Sequence, residues 1–203
     1  GSLTNVTLPA SLDSIGEYAF ESVGFSELEL PANLKYIGAY AFRYSDLTSI
    51  EIPDGVESVE NYCFYDCWLS TVKLPAGLKK IGSYAFANNN ICSVDIPSSV
   101  TSIGGWAFAN NCLTDVELPA GVQISGGTFS NNDITDSSAF IYKKNADGTA
   151  DYSTIVSYAG NKVDNITLPA TKNGVALTRI EGNAFSGVGL TGHLTIPSTV
   201  TYI

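Results

Sequence analysis

Methionine is absent from the 203 residues, and histidine occurs once, at His193. A lone imidazole offers little for acid–base or metal chemistry, which needs partners beside it. Lysine and arginine number 10 against 20 aspartates and glutamates, for a net charge of −10. A chain so short of cations has no basic stripe for nucleic acid and is repelled by anionic membrane surfaces. No apolar run approaches the roughly 20 residues of a membrane-spanning helix, so no membrane insertion is expected. The four cysteines form no C-x-x-C pair, and zinc-type spacing is therefore missing. G-x-S-x-G, H-E-x-x-H and P-loop patterns are missing too. The residues give no reason to expect an enzyme, a metal or a cofactor.

What the sequence does have is a period. Pro9, Pro31, Pro53, Pro75, Pro97 and Pro119 recur every 22 residues, and Pro169 and Pro197 follow after irregular gaps. Fixed repeats of this length mark a solenoid. Six residues past the prolines stand Ile15, Ile37, Val59, Ile81 and Ile103, with Ile124 one place early. Then comes a small residue and a phenylalanine: Ala19-Phe20, Ala41-Phe42, Cys63-Phe64, Ala85-Phe86, Ala107-Phe108 and Thr128-Phe129. Each unit closes on the spacing L-x-x-L-x-L, as in Leu47-x-x-Ile50-x-Ile52, and the next proline follows at once.

Alternation in Ser49-Ile50-Glu51-Ile52 is the period of a strand with one buried face. Proline cannot donate to a ladder and so closes that strand. Strands at equal places in equal units stack in parallel, one per coil. A single coil cannot offset its own ordering entropy, so stability is shared through a continuous core, with the phenylalanine column as its spine. Three residues past each Phe stand Val23, Ser45, Cys67, Asn89, Asn111, Asn132 and Val188. An inward asparagine there can satisfy backbone groups left unpaired where the coil turns. The Gly16, Gly38, Gly82 and Gly104 column predicts a turn with positive φ, although Glu60 and Ser125 interrupt it.

The unit L-P-A-N-L-K-Y-I-G-A-Y-A-F at 30–42 returns at 74–86 as L-P-A-G-L-K-K-I-G-S-Y-A-F. I-P-S-S-V-T-S-I-G-G-W-A-F at 96–108 and I-P-S-T-V-T-Y-I at 196–203 repeat it again. These units resemble the BspA-type leucine-rich repeats of bacterial surface proteins. The resemblance implies a β-rich solenoid: a right-handed leucine-rich-repeat coil with one parallel β-sheet. It further implies an extracellular or cell-surface protein that adheres to a protein partner, a host extracellular protein among the candidates.

The repeats divide into 1–134 and 165–203, with an interruption at 135–164. In the interruption, Phe140–Lys144 and Tyr152–Tyr158 read as strands around a turn at Asn145-Ala146-Asp147-Gly148, which predicts a protruding β-hairpin. The carboxylates of Asp147 and Asp151 with Asn145 also fit calcium in type, but Gly148 is misplaced for an EF-hand loop. A short insertion at 171–176 delays Ile180, Ala184 and Phe185. Gly1-Ser2 reads as a cloning remnant or a processing product, and the chain stops before the next Ala-Phe. The expectation is a piece of a longer solenoid, truncated at its C-terminus.

Two columns of strand residues point away from the core. One is Glu27, Ser49, Thr71, Ser93, Asp115 and Asn165; the other is Glu29, Glu51, Lys73, Asp95, Glu117 and Thr167. The resemblance makes this sheet face the concave contact surface. It is mostly acidic, and reads either as a site for a basic protein patch or as a solvated face. A second column, Tyr18, Tyr40, Tyr62, Tyr84 and Trp106, reads as architecture or as a platform for sugar or peptide. Tyr44, Tyr65 and Trp68 are less regular and predict a small exposed aromatic patch. Cys92 and Cys112 lie in adjacent coils at unequal positions, and their pairing stays open because disulfide geometry is strict. Three functions remain: protein recognition, a structural spacer presenting another domain, and a carbohydrate-binding module.

Overall fold

The computed structural model describes residues 6–114, 116, 118–119, 122–132, 140–147, 149–158, 165–186 and 189–203. Among them the chain winds as a solenoid of short, mostly parallel strands, with no helix. Each full coil has a strand wall after the proline turn, an aromatic turn, and a second strand wall before the next proline.

The proline turn is tight. Leu34 N–H donates to the Pro31 carbonyl, and Leu78 N–H to that of Pro75, both at 3.0 Å. Proline suits the start of such a turn because its φ is already fixed. The first wall follows, with β1 (Ser14–Ile15), β2 (Tyr36–Ile37), β4 (Ser58–Val59), β6 (Lys80–Ile81), β7 (Ser102–Ile103) and β8 (Gln123–Ile124). In β1, β2 and β6 the outward residue is exposed and the isoleucine is buried. Strands β4, β6, β7 and β8 form one parallel ladder, with Lys80 opposite Ser102 and Ser102 opposite Gln123. That last step absorbs the residue missing before Ile124.

The L-x-x-L-x-L segment supplies the second wall, with β3 (Ser49–Glu51) and β5 (Thr71–Lys73) pairing in parallel. After the interruption the same segment pairs β11 (Ile166–Thr167) with β15 (Leu194–Thr195). The single sheet expected from alternation is therefore several short ladders on two walls. The Ile15-type column escapes a period-two reading because each of its strands is only two residues long.

The aromatic turns join the coils as firmly as the strands do. Phe42 N–H donates to the Cys63 carbonyl at 2.9 Å, and Phe64 N–H to Ala85 and Phe86 N–H to Ala107 at 2.8 Å. Beneath them Phe42, Phe64, Phe86, Phe108 and Phe129 are fully buried. Their rings stack nearly parallel, with centroids 5.2–5.6 Å apart. The asparagine column lies inward, as its chemistry predicts. Asn89 Nδ2 donates to the carbonyls of Phe64, Phe86 and Ala87 at 2.8–3.2 Å, and Oδ1 accepts Leu69 N–H at 2.9 Å. Asn132 repeats the pattern. Cys67, in the same column, donates its Sγ–H to the Phe42 carbonyl at 3.1 Å.

The glycine column corrects the expectation of positive φ. Left-handed backbone belongs instead to Tyr18, Tyr40, Tyr62, Tyr84 and Trp106, and four residues on to Ser22, Tyr44, Asp66, Asn88 and Asn110. What excludes a side chain at Gly38 and Gly104 is the neighbouring coil. A Cβ would lie 2.5 Å from Glu17 N at Gly38, and 2.4 Å from Ser83 N at Gly104. At Gly16 a Cβ would meet nothing within 4 Å.

The interruption is a β-hairpin of β9 (Phe140–Lys144) and β10 (Ala150–Tyr158), antiparallel with two register shifts. Gly148 and the segments around 134 and 160 lie outside the described residues. The hairpin does not simply protrude. β10 pairs in parallel with β14 (Arg179–Ile180), setting Ile155 beside Ile180. Glu181 N–H donates to Ile155 O at 2.9 Å, the bond that Gly38 makes to Ile15 in the regular coils. Tyr158 packs on Phe185 at 5.8 Å and donates its N–H to Ala184. Against the following coil the hairpin thus stands where a repeat would, with Ile155 in the isoleucine position and the Tyr158 ring on Phe185. The insertion at 171–176 is a second small hairpin, β12 (Thr171–Lys172) and β13 (Val175–Ala176). Its Asn173-Gly174 turn has φ of 51° and 78°, the pair that a two-residue type I′ connection requires.

Candidate functional site

Strand pleating fixes the first candidate surface. With Ile50 and Val72 turned into the core, Ser49, Glu51, Thr71 and Lys73 must point out, and all four are exposed. Glu27, Glu29, Ser93 and Asp95 are exposed at equivalent positions, although their segments carry no ladder. Asp115 and Glu117 lie outside the described residues. Asn165 and Thr167 are exposed beside the β11–β15 pair, where Asn165 Oδ1 accepts His193 N–H at 3.3 Å.

Lys73 is integrated into this acidic face. It forms an ion pair with Glu51, its partner in register. The hydrogen bond and charge of Glu51 hold the Lys73 ammonium above its ordinary pKa, with Asp54 adding to the effect. Both side chains are exposed, so the pair orients charge more than it stabilises the fold. Acidity is not confined to this wall, because Asp13, Glu17, Glu57 and Asp66 are exposed elsewhere.

The second candidate is the outer aromatic column. Tyr18, Tyr40, Tyr62, Tyr84 and Trp106 stack face to face, with successive centroids 4.7, 5.0, 4.7 and 5.4 Å apart and planes within 9°. Ring faces are thereby occupied by other rings, and solvent meets edges. Arg43 closes one side with its guanidinium 4.8 Å from the Tyr40 centroid and 4.9 Å from that of Tyr44, while it is paired with Glu21. At the far end Gly127 makes room for the Trp106 indole, whose Nε1 would lie 2.6 Å from a Cβ there.

The predicted aromatic patch is brought together only in part. Tyr44 and Tyr65 meet edge to face at 5.8 Å, and Tyr65 also touches Tyr62 and Tyr84. Trp68 is 61% exposed and makes no ring contact with either. Sequence reasoning missed a row of surface amides beside Tyr65. Asn88 Nδ2 donates to Tyr65 Oη at 2.9 Å, Asn110 to Asn88 at 2.6 Å and Asn131 to Asn110 at 2.8 Å. The doubled Asn88-Asn89, Asn110-Asn111 and Asn131-Asn132 was the available signal, with one member inward and one outward.

Cys92 and Cys112 form a disulfide with Cα atoms 4.5 Å apart, inside the range that a bridge requires. Cys63 and Cys67 are buried free thiols. Burial pushes both thiols up, Cys67 to about 11, which leaves them protonated and unreactive at neutral pH. In the hairpin turn the Asp147 carboxylate accepts the Thr149 N–H at 3.0 Å and its hydroxyl at 2.7 Å. These bonds hold Asp147 below its ordinary pKa, and they account for the turn without a cation. Among the described residues no cluster of three or more metal-ligating side chains occurs, and no helix is long and apolar enough to cross a membrane.

The profile of the BspA type leucine-rich repeat region matches the chain in six copies, over residues 1–67, 35–147 and 149–203. No curated protein matches it. Among solved structures, a leucine-rich repeat protein from Bacteroides ovatus is similar over 98% of this chain, at 21% identity and a TM-score of 0.57. A leucine-rich cell surface protein from Faecalibacterium prausnitzii aligns over the whole chain at 21% identity and a TM-score of 0.48. The chain spans 62% of the first protein and 65% of the second.

Proposed function

The chain belongs to the BspA-type leucine-rich-repeat family, and from that premise we propose that it is an extracellular, non-catalytic module for recognising a protein partner. Its contact surface is the second strand wall with Glu27, Glu29, Ser49, Glu51, Thr71, Lys73, Ser93 and Asp95, to which the sequence columns add Asp115 and Glu117. The partner presents a basic patch. The observation that carries the reading is the exposure of Glu27, Glu29, Glu51 and Asp95 on one wall of the stack, where like charges at coil spacing reinforce one another's field. Such a surface steers a cationic partner and loses that steering in salt.

The disulfide supports the extracellular part of the proposal, because such bonds persist in oxidising compartments. The carbohydrate reading draws less support. A sugar stacks on an open aromatic face, and the central rings of the outer column have both faces covered. The test is charge reversal at Glu51, Asp95 and Glu117, each to Lys, with binding measured against a panel of extracellular proteins over a range of ionic strength. Loss of affinity together with a flattened salt dependence is expected. Unchanged affinity and slope would remove the strand wall as the site.

A further inference from the structure

We propose that the Cys92–Cys112 disulfide is a redox-sensitive clamp that holds the strand segment Ser93–Asp95 away from β5. Residues just before β3 and β5 reach back to the preceding coil in a regular way. Thr48 N–H donates to Ser26 O at 3.0 Å, and Ser70 N–H to Thr48 O at 2.9 Å. Their hydroxyls reach the same carbonyls, each at 3.2 Å.

Cys92 is next in that column, 22 residues after Ser70. Among the described residues its N–H makes no such bond, and β5 ends its two-stranded sheet. Its sulfur is joined instead to Cys112 of the following coil. Cys112 keeps its regular place: its N–H donates to Ile91 O at 3.0 Å, as Asn90 donates to Leu69 and Trp68 to Leu47. Cys92 is therefore the residue drawn out of its column.

The interior does not oppose closure. Ile91, Val94 and Ile96 are already buried with Leu69 and Val72 in one core. Continuing the register of Ser49 with Thr71 and Glu51 with Lys73 would set Ser93 beside Thr71 and Asp95 beside Lys73. The trigger is reduction by a dithiol. Two electrons and two protons pass to the bridge, the S–S bond breaks to two thiols, and the dithiol leaves as its own disulfide. Cys92 is exposed to such a reagent, whereas Cys63 and Cys67 are buried and already reduced.

Amide hydrogen exchange tests this on the oxidised protein, the dithiol-reduced protein and Cys112→Ser. Amides of Cys92–Asp95 are expected to exchange about tenfold more slowly in both unbridged forms, as a ladder bond closes. Unchanged or faster exchange there overturns the proposal. So does a general loss of protection that includes the Phe86 and Phe108 amides, because the bridge would then hold the whole stack and not one strand.

Discussion

Asn111 Oδ1 accepts the N–H of Ile91 at 3.0 Å, and its Nδ2 reaches past Ile91 to the Phe86 carbonyl at 2.9 Å. One side chain thus ties the close of one coil to the aromatic turn of the same coil, while its own backbone belongs to the next. Asn111→Ala leaves the buried Ile91 N–H without its partner and takes one of two amide donors from the Phe86 and Phe108 carbonyls, which keep Asn89 and Asn132. The expected loss is about 1–3 kcal/mol, the usual cost of stranding a buried polar group. Asn110→Gly, at the exposed left-handed neighbour, should stay within about 0.5 kcal/mol. Denaturant unfolding of both variants measures the contrast, and equal losses would mean that Asn111 acts as surface.

The glycine column makes a paired prediction. At Gly104 a methyl group meets backbone of Ser83 and Gly82, which cannot swing aside. Gly104→Ala is expected to destabilise by about 1–3 kcal/mol through overpacking. Gly16→Ala meets open space and should be neutral or slightly stabilising, because alanine has less chain entropy to lose. Thermal unfolding distinguishes the two; an equal effect would return the column to a turn-conformation role.

Much of this was legible in the residues, and the rest has physical reasons. Period two in Ser49-Ile50-Glu51 exposed the strand face, and exchange of Cys67 with Asn89 exposed the inward polar column. Left-handed tyrosines were hidden, since tyrosine has no preference for that conformation, which here accompanies the coil-to-coil bond of Tyr62 N–H to Ser83 O, 3.0 Å. Ile155 was hidden among hairpin residues because its place in the isoleucine column is set by a bond from Glu181, far along the chain. The surface site was legible as exposed columns, but Trp68 was grouped with Tyr44 by sequence nearness alone. A spacing of 20 for the bridged cysteines differs from the period, so the columns did not pair them.

Tyr142 predicts an alkaline transition. It is 5% exposed and its hydroxyl is buried without a partner. Burial first, then the neighbouring Tyr152, pushes its pKa up to about 12 from the ordinary 10.0. The folded chain therefore holds this proton more tightly than the unfolded chain does. Stability from that difference is full below pH ~10 and is lost as pH rises towards ~12. The loss amounts to about 2.7 kcal/mol at most. Tyr142→Phe should remove this part of the alkaline sensitivity and cost little at pH 7, since no hydrogen bond is given up. Unfolding midpoints of both proteins from pH 8 to 12 check it, and parallel pH curves would show that Tyr142 does not titrate in this way.

Tyr62 separates what the outer ring stack contributes from what its backbone costs. Its ring lies between Tyr40 at 5.0 Å and Tyr84 at 4.7 Å, while its own φ is 56°. Removing the ring forfeits two stacking contacts of about 0.5–1.5 kcal/mol each, so both Tyr62→Ala and Tyr62→Gly should destabilise. Alanine must still adopt a left-handed backbone that costs an L-residue about 1–2 kcal/mol, and glycine adopts it freely. Tyr62→Gly is therefore expected to be the more stable variant by about 1 kcal/mol, the reverse of the order in an ordinary strand or helix. Chemical denaturation of the two variants decides the matter. If alanine is the more stable, the turn has relaxed out of the left-handed region once the ring is gone, and the stack, not the bond from Tyr62 N–H to Ser83 O, is what holds the turn in that conformation.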